Sequence, residues 1–188
     1  MNNILRSVLM RRSTYQFDSR PIRDEELMDI LEEGKLLSNA ENNEAWHFTV
    51  LQNRALLKRL SDAHEKLIAR EHEGLKKDSA AGRVSSHMLL DVPMLLIISG
   101  RKDVKYAEDA ANMVFGSMML IAEKYGIGVC WLNSAPELFS TEEGKKVLEQ
   151  MGIPVDYMPL CVGAFGYKRS AALPDILAAG DNVINIVK

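Results

Sequence analysis

The stretch Pro93–Ser99, "PMLLIIS", is continuously apolar and rich in branched residues, as expected of a strand covered on both faces. Such a strand predicts a central sheet with helices above and below it. Upstream, "WHFTVLQ" (46–52) alternates Trp46, Phe48 and Val50 against His47, Thr49 and Leu51, which is strand periodicity. Downstream, "IGVCWLN" (127–133) predicts a third strand and "YMPLCVGAFG" (157–166) a fourth, the last bulged, or near its start, at Pro159.

Helices fill the intervals. Ile4, Leu5, Val8 and Leu9 follow helical spacing, as do Leu27, Ile30 and Leu31 after an Asp24 cap, and Leu56, Leu57, Leu60, Leu67 and Ile68. Residues 106–125 predict a long apolar helix, and Ser140 with Glu143 a capping box for a helix through Met151. The long helix carries Met113, Val114, Phe115, Met118, Met119 and Ile121, more than one sheet-facing stripe requires, so its second face is expected to meet another subunit. The final "NVINIVK" (182–188) reads as an extended segment that pairs with some sheet edge.

A chain of 188 residues fits one domain spanning 1–188, large enough to stand without disulfides or a structural metal. Its 47% hydrophobic and 26% charged residues are those of a soluble globular protein. The formal charge of -3 gives no overall attraction to nucleic acid, so any anion site must be local. Cys130 and Cys161 lie in separate apolar runs and read as buried, reduced thiols. His47, His64, His72 and His87 share no metal-ligand spacing. The N-terminal charges follow the apolar stretch rather than precede it, and Ala110–Ala122 is too short and too polar to span a bilayer. The expectation is a cytoplasmic protein with no membrane and no nucleic-acid partner.

Three segments carry candidate chemistry. "RRSTYQF" (11–17) places two guanidiniums beside a hydroxyl, a set suited to a phosphate monoester, although basic residues at a helix end also complement its dipole. "LSNAENNEAWHF" (37–48) is either a capped loop or a set of donors and acceptors for a planar heterocycle anchored by Trp46. In "GAFGYKRS" (163–170), Lys168 and Arg169 follow a glycine turn, as an idle solvated face or as the rest of a phosphate site. No acidic pair suits general acid/base work, and there is no GxGxxG or Walker sequence.

In order and spacing these pieces resemble the FMN-dependent nitroreductase family through nearly the whole chain. "RRSTYQF" is similar to the family's Arg-x-Ser phosphate motif, and "SNAENNEAWHF" to its Pro-Ser-x-x-Asn-x-Gln-Pro-Trp-x-Phe loop. "DVPMLLIISG" resembles its Ala-Pro strand, "YGIGVCWLN" its Gly-x-Gly-x-x-Trp segment, and "MGIPVDYMPLCVGAFGYKR" its closing Gly-hydrophobic-Pro…Gly-Tyr stretch. The resemblance implies an α+β fold, an α/β/α sandwich with a mixed, mainly antiparallel central sheet, assembled as an intertwined homodimer. Residues 172–188 would be an arm crossing onto the partner subunit. It further implies that Arg11, Arg12 and Ser13, joined by Lys168 and Arg169, contact the FMN phosphate and ribityl chain. Ser38, Asn39, Ala40 and Asn42 would line the flavin, with backbone at Leu132 and Asn133 near the ring.

Three positions depart from the family pattern. Tyr15 stands where the family has Arg or Lys near the flavin's pyrimidine edge, Glu44-Ala45 replaces Gln-Pro, and Ser38 replaces the proline of Pro-Ser. The implied activity is ping-pong transfer of a hydride from NADH or NADPH through FMN to a nitroaromatic, quinone or similar small acceptor, with no catalytic side chain and no metal. The alternative is a flavin-binding carrier or sensor with little nicotinamide-dependent turnover.

Overall fold

A computed structural model describes residues 3–36, 46–72, 92–133, 135–169 and 185–186. The sheet comprises β1 (His47–Leu51), β2 (Met94–Arg101), β3 (Ile127–Trp131) and β4 (Tyr157–Tyr167). Their spatial order is β1-β2-β4-β3, and every ladder is antiparallel. The mixed sheet expected above is therefore antiparallel among the described residues, with one isolated parallel bridge, Ser13 to Val129. The two inner strands β2 and β4 are apolar nearly throughout because both faces are covered. Their register shifts between Ile98, opposite Cys161, and Ser99, opposite Pro159. The bulge thus falls at the proline, where a ladder donor is missing, as the sequence predicts.

Helices α1 (Asn3–Met10), α2 (Asp24–Leu36), α3 (Arg54–His72), α4 (Ala107–Lys124), α5 (Ala135–Leu138) and α6 (Glu142–Gln150) flank the sheet. On one face Leu57 and Leu60 of α3, Leu138 of α5 and Val147 of α6 pack on Leu95, Ile97, Val162 and Ala164. On the other, Ile30 of α2 and Val114, Phe115 and Met118 of α4 pack on Met94, Leu96, Ile98 and Phe165. These are the layers of an α+β sandwich.

Glycines set how closely the layers approach. A Cβ at Gly34 of α2 would stand 2.9 Å from Met118 Sδ, and one at Gly163 of β4 would stand 2.7 Å from Phe115 Cε2, so α4 lies tightly against both α2 and the sheet. The long helix consequently buries Val114, Phe115, Met118 and Met119 within its own chain, leaving Met113 exposed. Part of the apolar surface beyond the sheet-facing stripe is thus covered by α2 within the chain, at Gly34 and Met118.

Two caps also differ. Leu27 N donates to Arg23 O at 3.0 Å, so Arg23 precedes the helix and Asp24 lies in its first turn, where its charge meets the positive dipole end. The α6 cap is Thr141, whose hydroxyl accepts from Gly144 N at 3.1 Å, not Ser140. The helix begins one residue later than the Ser-x-x-Glu pattern suggests because Thr141 also donates to Leu138 O, closing α5 at 2.6 Å. Asn53 caps α3, its side-chain oxygen accepting from Ala55 N at 3.0 Å and Leu56 N at 3.1 Å.

Candidate functional site

The segment after α1 crosses the end of the sheet. Thr14 N donates to Val129 O at 3.0 Å, Asp18 N to Tyr167 O at 2.8 Å, and Arg169 N to Gln16 O at 3.2 Å. Phe17 forms an antiparallel bridge with Lys168. These bonds draw Arg11–Phe17 and Lys168–Arg169, from opposite ends of the sequence, into one neighbourhood.

The approach is possible because of two glycines that face each other across the ladder, Gly128 of β3 and Gly166 of β4. A Cβ at Gly128 would stand 2.6 Å from Thr14 Cγ2, and one at Gly166 would stand 3.0 Å from Phe17 Cδ1 and 2.5 Å from Pro93 Cγ. The bare strip over this pair is filled by Thr14 and by the buried ring of Phe17. Phe17 then anchors the segment in the core of that face.

The cations in this neighbourhood are not equivalent. Arg11 has no side-chain hydrogen bond or ion pair among the described residues, and its amide closes α1 on Ser7 O at 3.0 Å. Arg12 folds back, its Nη1 donating to Leu9 O at 3.1 Å and Arg11 O at 2.7 Å. It thereby satisfies carbonyls at the α1 C-terminus, while its Nε is buried without a partner among the described residues. Lys168 Nζ donates to both carboxylate oxygens of Glu123, each at 2.7 Å, in a half-buried pair. Arg169 is exposed and, among the described residues, is hydrogen-bonded only through its backbone. Ser13 and Tyr15 are exposed beside them.

Leu132 and Asn133 follow β3. The Leu132 amide is spent on Val162 O at 2.9 Å and its carbonyl accepts from Ala135 N at 3.1 Å, so that backbone is already bonded within the fold, while Asn133 is exposed. Ser38, Asn39, Ala40, Asn42, Glu44 and Ala45 lie outside the described residues.

Behind the cations, a buried carboxylate ties the strand end to α2. Glu26 accepts from Arg23 Nη2 and from the Tyr167 hydroxyl, and the Arg20 guanidinium lies 4.5 Å from the centre of the Tyr167 ring. The hydrogen bond from Arg23, helped by that from Tyr167, holds the Glu26 carboxyl below the ordinary glutamate value. Sequence reasoning missed Glu26 and Glu123: Arg23 is a neighbour of Glu26 by helical spacing, but Tyr167 reaches Glu26 and Lys168 reaches Glu123 only through tertiary contact.

An α+β sandwich of this topology is also the architecture of flavin-binding proteins of known structure. The chain covers 100% of a Bacteroides fragilis nitroreductase solved with bound FMN, and is itself covered entirely, at 26% identity and a TM-score of 0.81. A Desulfitobacterium hafniense nitroreductase with bound FMN shares the fold over 100% of both chains at 19% identity, TM-score 0.82. An Archaeoglobus fulgidus protein, named provisionally as an NADH dehydrogenase/NAD(P)H nitroreductase, is 28% identical over 90% of this chain and 87% of its own. The Nitroreductase family pattern matches residues 8–167, and the chain belongs to that family. Among the described residues no helix is long and apolar enough to cross a membrane.

Proposed function

We propose that the chain is an FMN-dependent oxidoreductase that draws an electron pair from NADH or NADPH and delivers it, in ping-pong order, to a nitroaromatic, quinone or similar small acceptor. The observation that carries this reading is that the segment running on from Arg11–Ser13 is bonded to β3 at Val129 and, through Gln16 and Phe17, to Lys168–Arg169 at the sheet end. The residues present fit a phosphate monoester. Among the described residues the Arg11 and Arg169 guanidiniums make no hydrogen bond or ion pair, Ser13 has an exposed hydroxyl, and Arg12 Nε is a buried donor lacking an acceptor. The nearby carboxylates are compensated, Glu123 by Lys168 and Asp18 by Arg20.

Bound there, FMN would supply the redox chemistry, which no side chain of this site provides. The chain's own part is to hold and orient. Arg11, Ser13 and Arg169 would hold the phosphate end, Ser38, Asn39, Ala40 and Asn42 would line the ring, and Leu132–Asn133 would bound it. The same reading makes residues 1–188 one flavin-binding domain in a cytoplasmic homodimer, with 172–188 reaching the partner subunit. The family membership and the FMN-bound relatives support it.

The purified protein is expected to be yellow, to release FMN on denaturation, and to bleach anaerobically with NADH or NADPH. A colourless protein that takes up no added FMN overturns the proposal.

A second reading, a flavin carrier or sensor, is favoured by Tyr15, an exposed neutral phenol where the family carries a cation. It predicts a bound flavin that dithionite reduces and neither nicotinamide does. Steady NAD(P)H oxidation with a quinone or nitroaromatic excludes it.

A further inference from the structure

We infer that Glu123 sets the charge of the anion cradle, holding Lys168 as its counter-ion and so withdrawing that lysine from direct contact with the ligand's phosphate. The inference rests on the FMN reading above and assigns a role to a residue that neither that reading nor the family motif includes.

The geometry is that of a closed pair. Both Glu123 oxygens accept from Lys168 Nζ at 2.7 Å, and the two side chains retain 16% and 27% exposure. Two of the ammonium's three donors are therefore committed. Arg169, the next residue along the chain, has no ion pair among the described residues, its charge reaching Asp18 only at longer range, and it keeps its planar fork, the better match for a phosphate. The two adjacent cations thus divide the work: Arg169 is presented outward and Lys168 is compensated.

Glu123 is also placed against local electrostatics. It sits in the last turn of α4, where a carboxylate opposes the helix dipole, and no shielding cation is supplied from its own helix, since Lys124 Nζ turns to Tyr125 OH at 2.9 Å. Among the described residues its one ion-pair partner is Lys168, from across the fold. A carboxylate held there offsets about one of the positive charges that Arg11, Arg12, Lys168 and Arg169 bring to this end of the sheet. The consequence is a cradle that selects its ligand through arginine forks rather than through a surplus of charge, and binds the phosphate less tightly than its four cations suggest.

The test is a two-residue cycle on the full-length protein: Glu123→Gln, Lys168→Met and the double variant, each titrated with FMN and with riboflavin by flavin fluorescence. Glu123→Gln is expected to tighten FMN roughly five-fold and Lys168→Met to weaken it by a similar factor. The double variant should return to within about two-fold of the parent, with riboflavin affinity unchanged throughout. The Glu123→Gln gain should vanish near 1 M salt, where screening shortens to about 3 Å. A direct lysine-phosphate contact instead leaves the double variant as weak as Lys168→Met, and that result overturns the inference. So does a Glu123→Gln protein that binds FMN no tighter than the parent. Should Glu123→Gln fail to fold, the neutral double variant against Lys168→Met decides alone. A parent chain that takes up neither flavin overturns the FMN reading itself, and is told apart by the absence of any titration to compare.

Discussion

Thr14 and Gly128 touch across the face of the sheet with no room for a side chain between them. That contact fixes where the N-terminal cations lie, because Thr14 N is bonded to the residue after Gly128 and Arg11 follows α1 only three residues upstream. Gly128→Ala is expected to force Thr14 off the sheet and to cost about 1–3 kcal/mol, measured by urea denaturation. FMN affinity should fall with it. Thr14→Gly in the same chain should restore most of both quantities, whereas independent, additive losses would show that the two residues are not in contact in solution.

The α6 cap separates two adjacent hydroxyls. Thr141→Ala removes both the acceptor for Gly144 N and the donor to Leu138 O, and should cost about 1 kcal/mol. Ser140→Ala, at an exposed position with no side-chain bond among the described residues, should change stability by less than about 0.5 kcal/mol. Thermal melts of the two variants check this directly; equal losses contradict the cap assignment.

Much of this architecture was legible from the sequence because its inner strands are extreme. Met94–Gly100 and Leu160–Gly166 are apolar on both faces, a pattern that burial between two helix layers enforces and that little else explains. The glycines of "YGIGVCW" and "GAFGYKR" were equally visible, but their purpose was not. That Gly128 and Gly166 are cross-strand partners is a matter of register, which hydrophobic periodicity does not encode across distant segments. The cations are plain in the sequence, yet their inequality is not. Lys168 and Arg169 look alike in sequence, and only the fold brings Glu123 to one of them. Ser140 and Thr141 were confused for a related reason: both fit a capping pattern, and the end of a four-residue helix that periodicity cannot detect decides between them.

Glu26 makes stability fall in acid. Its carboxyl is held below the ordinary value of 4.5 by Arg23 and Tyr167, so below about that pH the unfolded chain binds a proton the folded chain does not. Stability from this group is complete above pH 4.5 and is lost as pH falls through the lower folded value. Glu26→Gln should flatten that part of the acid limb in denaturation measured from pH 6 to 3, and should lower stability at pH 7. An unchanged acid limb would rule Glu26 out as a contributor.

The two thiols act in the opposite direction. Burial raises Cys130 to about 11 and Cys161 to about 12, against an ordinary 9.0. Each folded value lies above the unfolded one, so the stability is fully present below pH 9.0 and declines as pH rises toward the folded values. The thiols pack on opposite faces of the sheet and should not react with a thiol reagent at pH 8 until the protein unfolds. Replacing both by alanine should flatten the alkaline limb above pH 9. Rapid labelling of either thiol in the folded protein contradicts the burial on which this rests.

Tyr15 bears on how readily a bound flavin accepts electrons. It is 57% exposed, two residues beyond Ser13 and on the segment that Thr14 and Phe17 pin to the sheet, so a cation placed there would lie close to the proposed cofactor without disturbing the fold. Reduction adds negative charge to a flavin, and a positive group nearby favours the reduced form. Tyr15→Lys should therefore raise the two-electron potential of bound FMN by about 20–40 mV, equivalent to roughly 1–2 kcal/mol. The equilibrium with a redox dye under anaerobic conditions measures this without turnover. Bleaching by NADH or NADPH should quicken in parallel. A potential that does not move would mean that Tyr15 points away from the flavin, and that the missing cation is not what sets its reactivity.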